Sequence, residues 1–536
     1  MEPLPASITA ALSVLRSSDW LLLIAISAAS VALLQLALIS RRTTQLWPPG
    51  PPAWPVIGHL HLLGQLPHQS LCKLAQTYGP LMGLRLGSVC AVVASSSEMA
   101  KEILQTHDVA LAFRPRTAAA VHVCFDCKDM SFSPLGPYWK FLRQVYATEL
   151  FSAKKMEAFR HVREEEARGL ARAVYLAQGA AVDQGGPVEV RASLVTASNN
   201  INCRMVMGKR LEDVRSAGAA GGDGEQQQVD LHGVIEDVLH LVGVFYLGDY
   251  VPWLSWLDPH GYLQRMKATG QQTHALLQGV INARRQEEEG RNEVAAEPRD
   301  LLDVLLAASR NNNPDVPMTD EHIMAALLDV FVGGSDTSAT AVEWALAELI
   351  NHPNKMRKLH EELDNVVGKE RLVEERDIAG LTYLDYVTKE SMRLHPVAPF
   401  LIPREAMQEC IIGGFKIRRG THIYVNTLAI GRDSSVWESP LEFIPERFEK
   451  KNIDIKGQNF DFLPFGMGRR RCPGWALGIS NIHLMLATLV QGFTWHCVDG
   501  TTLDMSEKFG LTVDMAKSLH AIATPRLPLH LYDQSC

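Results

Sequence analysis

The segment Pro464-Phe465-Gly466-Met467-Gly468-Arg469-Arg470-Arg471-Cys472-Pro473-Gly474, followed by a helical apolar run over Ala476–Val490, constrains this chain more than any other. Glycines at 466, 468 and 474 let the backbone pass close to a flat ligand. A helix starting just after Cys472 turns free N–H groups and the positive end of its dipole toward the sulfur, which favours the thiolate. Arg470 can meet a negative group on the ligand's edge. A buried cysteine ahead of a helix is most often plain core. This one stands in a glycine and arginine spacing that a plain core position does not need.

The rest of the chain allows a large fold around that segment. With 536 residues, 46% hydrophobic and 21% charged, it can bury a core without disulfide staples. Length alone suggests roughly three or four domains. No long linker divides the region after residue 60, so one large catalytic domain over 59–536 is expected. Short strands are expected at Leu81–Leu86, Val89–Val93, Ile411–Ile417 and His422–Asn426, with helical patterns between. The class is mainly α with a small β-rich part. Gly218–Gly224 and Glu287–Pro298 are expected as solvated loops. A net charge of −8 gives no reason to expect a nucleic-acid partner.

The N-terminus points to a membrane. No charged residue interrupts Trp20–Ser40, and 1.5 Å per residue carries such a run across about 30 Å of hydrocarbon. It is longer than a signal-peptide core, and Arg41-Arg42 follow it directly. These charges keep the bulk of the protein on the cytoplasmic side and leave 1–19 lumenal, which suits the endoplasmic reticulum membrane. Residues 41–58 hold Trp47-Pro48-Pro49-Gly50-Pro51-Pro52-Ala53-Trp54-Pro55, a stiff basic and proline-rich hinge.

Other segments carry chemistry. One long helix is expected from Thr319, its N-cap, to His352-Pro353, with Gly333-Gly334-Ser335-Asp336-Thr337 in its middle. Interior glycines cost about 1 kcal/mol each relative to alanine. They serve either close helix packing or open space beside a ligand, with Asp336 and Thr337 as an acid and a hydroxyl at that space. Glu390 and Arg393 share a helix face. So do Trp139 and Arg143, a donor and a cation one turn apart. The nine cysteines lack framework spacing, and Cys124 and Cys127 are expected as separate loop thiols. His59, His61 and His68 are expected as surface or turn histidines, and Phe245–Trp256 remains open between core and lipid-facing patch.

Phe465, Gly468, Arg470, Cys472 and Gly474 match the haem-binding signature of the cytochrome P-450 family, which the chain resembles from the proline hinge to Pro525-Arg526-Leu527. The resemblance implies the cytochrome P-450 fold preceded by a single transmembrane helix, and haem b (iron protoporphyrin IX) with Cys472 as axial ligand. It implies Arg143 and Arg404, with Trp139, as propionate partners. It places Asp336 and Thr337 in proton delivery to bound oxygen, and Glu390, Arg393 and Arg447 in a buried structural network. It further implies electrons from NADPH through a reductase whose acidic face meets Lys140, Lys154, Lys155 and Arg469–Arg471. The forms of Pro464–Gly474, Lys389–Pro396 and Gly431-Arg432-Asp433 resemble plant microsomal members, flavonoid 3′-hydroxylase-type enzymes among them. A small lipophilic, phenolic or flavonoid substrate is the expectation, met by Thr117–Phe132, Phe245–Tyr262, Val397–Leu401 and Lys517–Ala521. The competing readings are an oxygen-independent haem-thiolate isomerase or dehydratase, and a membrane-bound interaction protein without catalysis.

Overall fold

The computed structural model describes Ser27 and residues 47–182, 186–210, 231–290, 300–311, 316–451, 453–500 and 502–533. The apolar run 20–40 and Arg41-Arg42 lie outside the described residues apart from Ser27. Among those described, no helix is long and apolar enough to cross a membrane. The glycine-rich stretch 218–224 also lies outside them. Of Glu287–Pro298, expected as a loop, the first residues instead finish the helix Tyr262–Gly290.

Four helices form the centre: Arg160–Val182, Arg191–Met207, Asp336–Asn351 and Trp475–Gly492 pack on one another. Asp336–Asn351 is buried almost all round, as a helix at the middle of a large domain must be. Trp475–Gly492 covers the expected Ala476–Val490 with a residue or two added at each end. The strands are short and few. Leu81–Leu86 and Val89–Ala94 form an antiparallel hairpin, His422–Val425 joins Val89–Ala94 in parallel, and Arg404–Glu405 closes that sheet. The segment expected as one strand over Ile411–Ile417 is a hairpin, Cys410–Ile412 and Phe415–Ile417, because Gly413 and Gly414 turn with positive φ.

The proline-rich segment is not a free spacer. The Gly83 N–H donates to the Pro49 carbonyl (2.8 Å), and a Cβ on Gly50 would stand 2.0 Å from the Gly83 carbonyl oxygen. Trp54 and Gly58 pair with each other, and Gly58 with Leu86. The globular body therefore begins by Trp47. Two of the three histidines there are buried rather than superficial. His59 donates to the Pro51 carbonyl (2.8 Å) and accepts the Arg85 N–H (2.7 Å), while His68 pairs with Glu507 at 2.7 Å. His61 stacks on the exposed Trp54. The stripe Phe245–Trp256 divides: Phe245 packs on Tyr250, Tyr424 and Phe509, whereas Trp253 and Trp256 are 64% and 75% exposed.

The long helix expected from Thr319 to His352 is two helices, Asp320–Gly334 and Asp336–Asn351, divided at Ser335. Thr319 begins the first, its hydroxyl 2.8 Å from the His322 ring. At the break the Thr337 hydroxyl donates to the Gly333 carbonyl (2.8 Å), the back-bonding that bends helices.

Candidate active site

A cavity of about 320 Å³ lies between this broken helix and the Cys472 loop. It is lined by Trp139, Arg143, Arg404, Phe465, Arg470, Cys472, Gly474 and Thr337, residues drawn from four separate segments. Asp336 is not among them, and neither are Glu390, Arg393 and Arg447.

The loop that presents the sulfur is tight. Gly466 and Gly468 have φ of 64° and 77°, and the Cys472 N–H donates to the Phe465 carbonyl at 3.0 Å. At Gly468 the need for glycine is doubled, since a Cβ would stand 2.4 Å from the Leu104 carbonyl and from the Asp108 carboxylate. Gly474 caps the helix Trp475–Gly492, so that helix starts three residues beyond the cysteine. Burial pushes the Cys472 thiol up, against the downward pull of the Gly474 N–H and the guanidinium groups of Arg143 and Arg471. Cys124 also lines the cavity, but burial and the Asp129 and Asp329 carboxylates all push its thiol up. Of the two cavity thiols, Cys472 is the one whose surroundings help an anion.

Four guanidinium groups crowd one side. Arg470 donates to the carbonyls of Ala112 (2.9 Å), Met130 (2.9 Å) and Ser133 (2.5 Å), and lies 5.1 Å from the Trp139 ring centroid. Arg143 donates to the Arg471 carbonyl (2.7 Å). Arg404 pairs with Asp108 (2.8 Å) and donates to the Met467 carbonyl (2.9 Å). The fourth, Arg114, was not foreseen. It is buried and donates to the carbonyls of Ser131, Ile402 and Pro403. Burial, with Arg404 and Arg143 nearby, lowers Arg470 to about 10, although Asp129 and Asp329 pull the other way. Among the described residues, only Arg404 of the four has a carboxylate in ion-pair contact.

Such a set is costly unless an anion joins it. The Trp139 indole N–H is also buried without a partner. A planar group bearing two carboxylates and a metal would satisfy both, the arginines and Trp139 holding the carboxylates and Cys472 the metal. The residues present therefore fit haem.

Asp336 and Thr337 part company. Successive helical residues point about 100° apart. Thr337 faces the cavity, while the buried Asp336 turns away to pair with Arg191 at 2.6 Å. The expectation that both stand beside the ligand space is corrected for Asp336. The two glycines divide likewise. A Cβ on Gly333 meets nothing within 4 Å, whereas one on Gly334 would stand 2.4 Å from the Asn202 side chain. Open space and close packing, alternatives for the pair, each apply to one residue. Gly333→Ala is expected to leave the denaturation midpoint unchanged or to add up to about 1 kcal/mol. Gly334→Ala is expected to cost about 1–3 kcal/mol by overpacking. Equal responses in urea melts would refute this division.

Behind the site, Glu390 is wholly buried. Its carboxylate accepts two bonds from Arg393 (2.7 and 2.8 Å), one from Arg447 (2.9 Å) and the Ile444 N–H (2.8 Å). Arg393 donates further to the carbonyls of Gly431 (2.6 Å) and Pro440 (2.7 Å). The helix Thr382–Leu394 is thereby tied to the irregular segment 431–447.

Of the four expected substrate segments, Thr117–Phe132 and Val397–Leu401 supply cavity residues. Phe245–Tyr262 and Lys517–Ala521 supply none; Val238, Leu239, Val242, Leu511 and Thr512 take their place. Cys124 and Cys127 are free thiols on a turn where Phe125, Asp126 and Cys127 have positive φ. Among the described residues, no cluster of three or more His, Cys, Asp or Glu side chains can hold a metal ion.

The family model of cytochrome P450 matches residues 48–520. The chain belongs to the cytochrome P450 family. The flavonoid 3′-monooxygenase of Petunia hybrida is 40% identical over 494 residues, covering 90% of this chain and 93% of that one. The phenylacetaldehyde oxime monooxygenase of Prunus mume is 38% identical, covering 90% of this chain and 89% of its own length. A zebrafish cytochrome P450 solved with abiraterone superposes with a TM-score of 0.68 at 27% identity, over 86% of this chain and all of that one. The protein is thus a cytochrome P450 monooxygenase, and membership implies haem-thiolate iron.

Proposed function

We propose that this monooxygenase hydroxylates a flavonoid or closely related phenolic, with electrons drawn from NADPH through a reductase, while held in the endoplasmic reticulum membrane by residues 20–40. The observation that carries the substrate reading is the recurrence of flavonoid 3′-monooxygenases among near-full-length relatives. They come from Petunia, Crocosmia, Arabidopsis and rice and are 39–40% identical. The uncharged run Trp20–Ser40 and the arginines after it support the anchor and a cytoplasmic catalytic domain.

Haem, when bound, would be held through the Cys472 thiolate and would supply dioxygen activation. The chain's own residues do the rest. Arg143, Arg470, Arg114 and the Trp139 indole hold the carboxylate edge, and Arg404 steadies it from its pair with Asp108. Phe465 and Gly474 shape the wall beside the sulfur. Thr337 offers a hydroxyl at the opening left by Gly333, and Asp336 supplies the acid behind it. Glu390, Arg393 and Arg447 keep the rear of the site rigid. Apolar groups such as Val238, Leu239, Val242 and Leu511 exclude water and suit a flat aromatic body. For the reductase, Lys140, Lys154 and Arg469 are the exposed cations of the expected face. Lys155 is half-buried beside Glu149 (3.3 Å), Arg470 points inward and Arg471 stacks on Trp475.

The test is turnover by membranes containing the protein and a plant reductase, supplied with NADPH and a flavanone bearing one B-ring hydroxyl. A catechol product is the expected result. Reductase-driven oxygen consumption with no hydroxylated flavonoid across flavanone, flavone and flavonol probes would overturn the substrate reading and leave the family standing.

A further inference from the structure

Asp336 sits among more charge than one ion pair needs. Arg191 meets three carboxylates: Asp336 at 2.6 Å, Glu343 at 2.7 Å and Asp514 at 3.5 Å. Glu343 is settled, since it also accepts the Leu519 N–H (2.8 Å). Glu236 adds a further negative charge nearby, itself paired with Lys508 at 3.0 Å. One guanidinium against three buried or half-buried carboxylates leaves an excess of negative charge, which a bound proton relieves. Burial first, then Asp514, raises Asp336 to about 7, against the pull of Arg191. The cluster is therefore a place where a proton is held and can leave near neutral pH.

Two hydroxyls connect it outward and inward. The Thr340 hydroxyl donates to Asp514 (2.7 Å) and lies 3.5 Å from the Asp336 carboxylate. The Asp514 side chain is 15% exposed, against 5% for Asp336, so Asp514 is the member nearer to water. The Thr512 hydroxyl stands 3.5 Å from the same Asp336 oxygen, Oδ2, and Thr512 lines the cavity. Both 3.5 Å contacts are at the outer limit of a hydrogen bond, as is common in sites before ligand binds. Thr337, by contrast, has its hydroxyl proton engaged by the Gly333 carbonyl at 2.8 Å.

We propose that Asp514, Thr340, Asp336 and Thr512 form a proton conduit from the surface to the cavity, with Thr512 as the hydroxyl that delivers the proton. Thr512 gives its hydroxyl proton to reduced dioxygen in the cavity and takes the Asp336 carboxyl proton in its place. The Asp336 carboxylate is then reprotonated through the Thr340 hydroxyl from Asp514, and Asp514 takes a proton from water. Each hydroxyl ends with one proton, and the net transfer is one proton from solvent. The inference rests on the oxygenase reading above and assigns it an inlet.

The test uses the full-length, haem-loaded protein with reductase and NADPH, and reads oxygen consumption without substrate. Thr512→Val and Asp514→Asn are each expected to slow it about tenfold or more. Thr512→Ser is expected to restore the rate, because it keeps the hydroxyl. A second readout is the infrared carboxyl band of Asp336, assigned by its loss in Asp336→Asn. Its titration is expected to move to lower pH in Asp514→Asn, where a like charge is gone. Unchanged oxygen consumption in both variants, with the thiolate-type spectrum intact, would overturn the conduit alone. A wild-type protein without that spectrum would instead sink the haem-thiolate reading on which the conduit depends.

Discussion

Replacing Cys472 by alanine is expected to abolish the thiolate-type Soret shift that the reduced wild-type protein shows with carbon monoxide. Among the described residues no histidine lines the cavity, so no imidazole stands ready to take the sulfur's place at the metal. The other thiol there, Cys124, is held neutral by its burial and by Asp129 and Asp329. Cys124→Ala is accordingly expected to keep the shift. Loss of monooxygenase activity should be complete in Cys472→Ala, because the thiolate that donates electron density for O–O cleavage is gone. A thiolate-type shift retained in Cys472→Ala would remove the ligand assignment.

The second large effect is on stability. Glu390→Ala is expected to cost about 3–5 kcal/mol, the range for breaking a buried ion pair by removing one partner. Two buried guanidinium groups would lose the carboxylate that pairs with both. Arg393 also lies 5.3 Å from the Trp437 ring centroid, so the packing of segment 431–447 should loosen with it. Glu390→Gln retains acceptors and should cost less. Urea melts read by tryptophan fluorescence check this, and an alanine variant that melts with the wild type would show the network to be dispensable. The expected phenotype is poor haem retention at moderate temperature, with a normal spectrum in whatever remains folded.

How much of this was legible in the sequence depended on distance along the chain. The Cys472 loop and its helix are one continuous segment, so glycine, cysteine and apolar periodicity sufficed. Trp139 with Arg143, and Glu390 with Arg393, are three or four residues apart, and helical geometry alone brought each pair together. Arg447 reached Glu390 only through the family resemblance. Arg114, Arg191 and Thr512 carry no local pattern that marks them; each acquires its role from a partner at least 17 residues away. The direction of Asp336 was open to correction from the start, since neighbours on a helix cannot face the same way. The break at Ser335 was hidden for another reason. Its cause is a side-chain bond from Thr337 back to Gly333, which a periodicity of apolar residues does not register.

The docking of Pro49 against Gly83 also fixes how far the enzyme can stray. Between Ser40, the last residue of the proposed anchor, and Trp47 stand six residues, 41–46. Fully extended, such a leash reaches roughly 20 Å. With residues 20–40 in a membrane as proposed, the catalytic body would stay within about that distance of the bilayer surface. A substrate that partitions into lipid would then be met where it is most concentrated, with diffusion reduced from three dimensions to two. Lengthening the leash with glycine and serine would leave every atom of the site in place and change only this encounter.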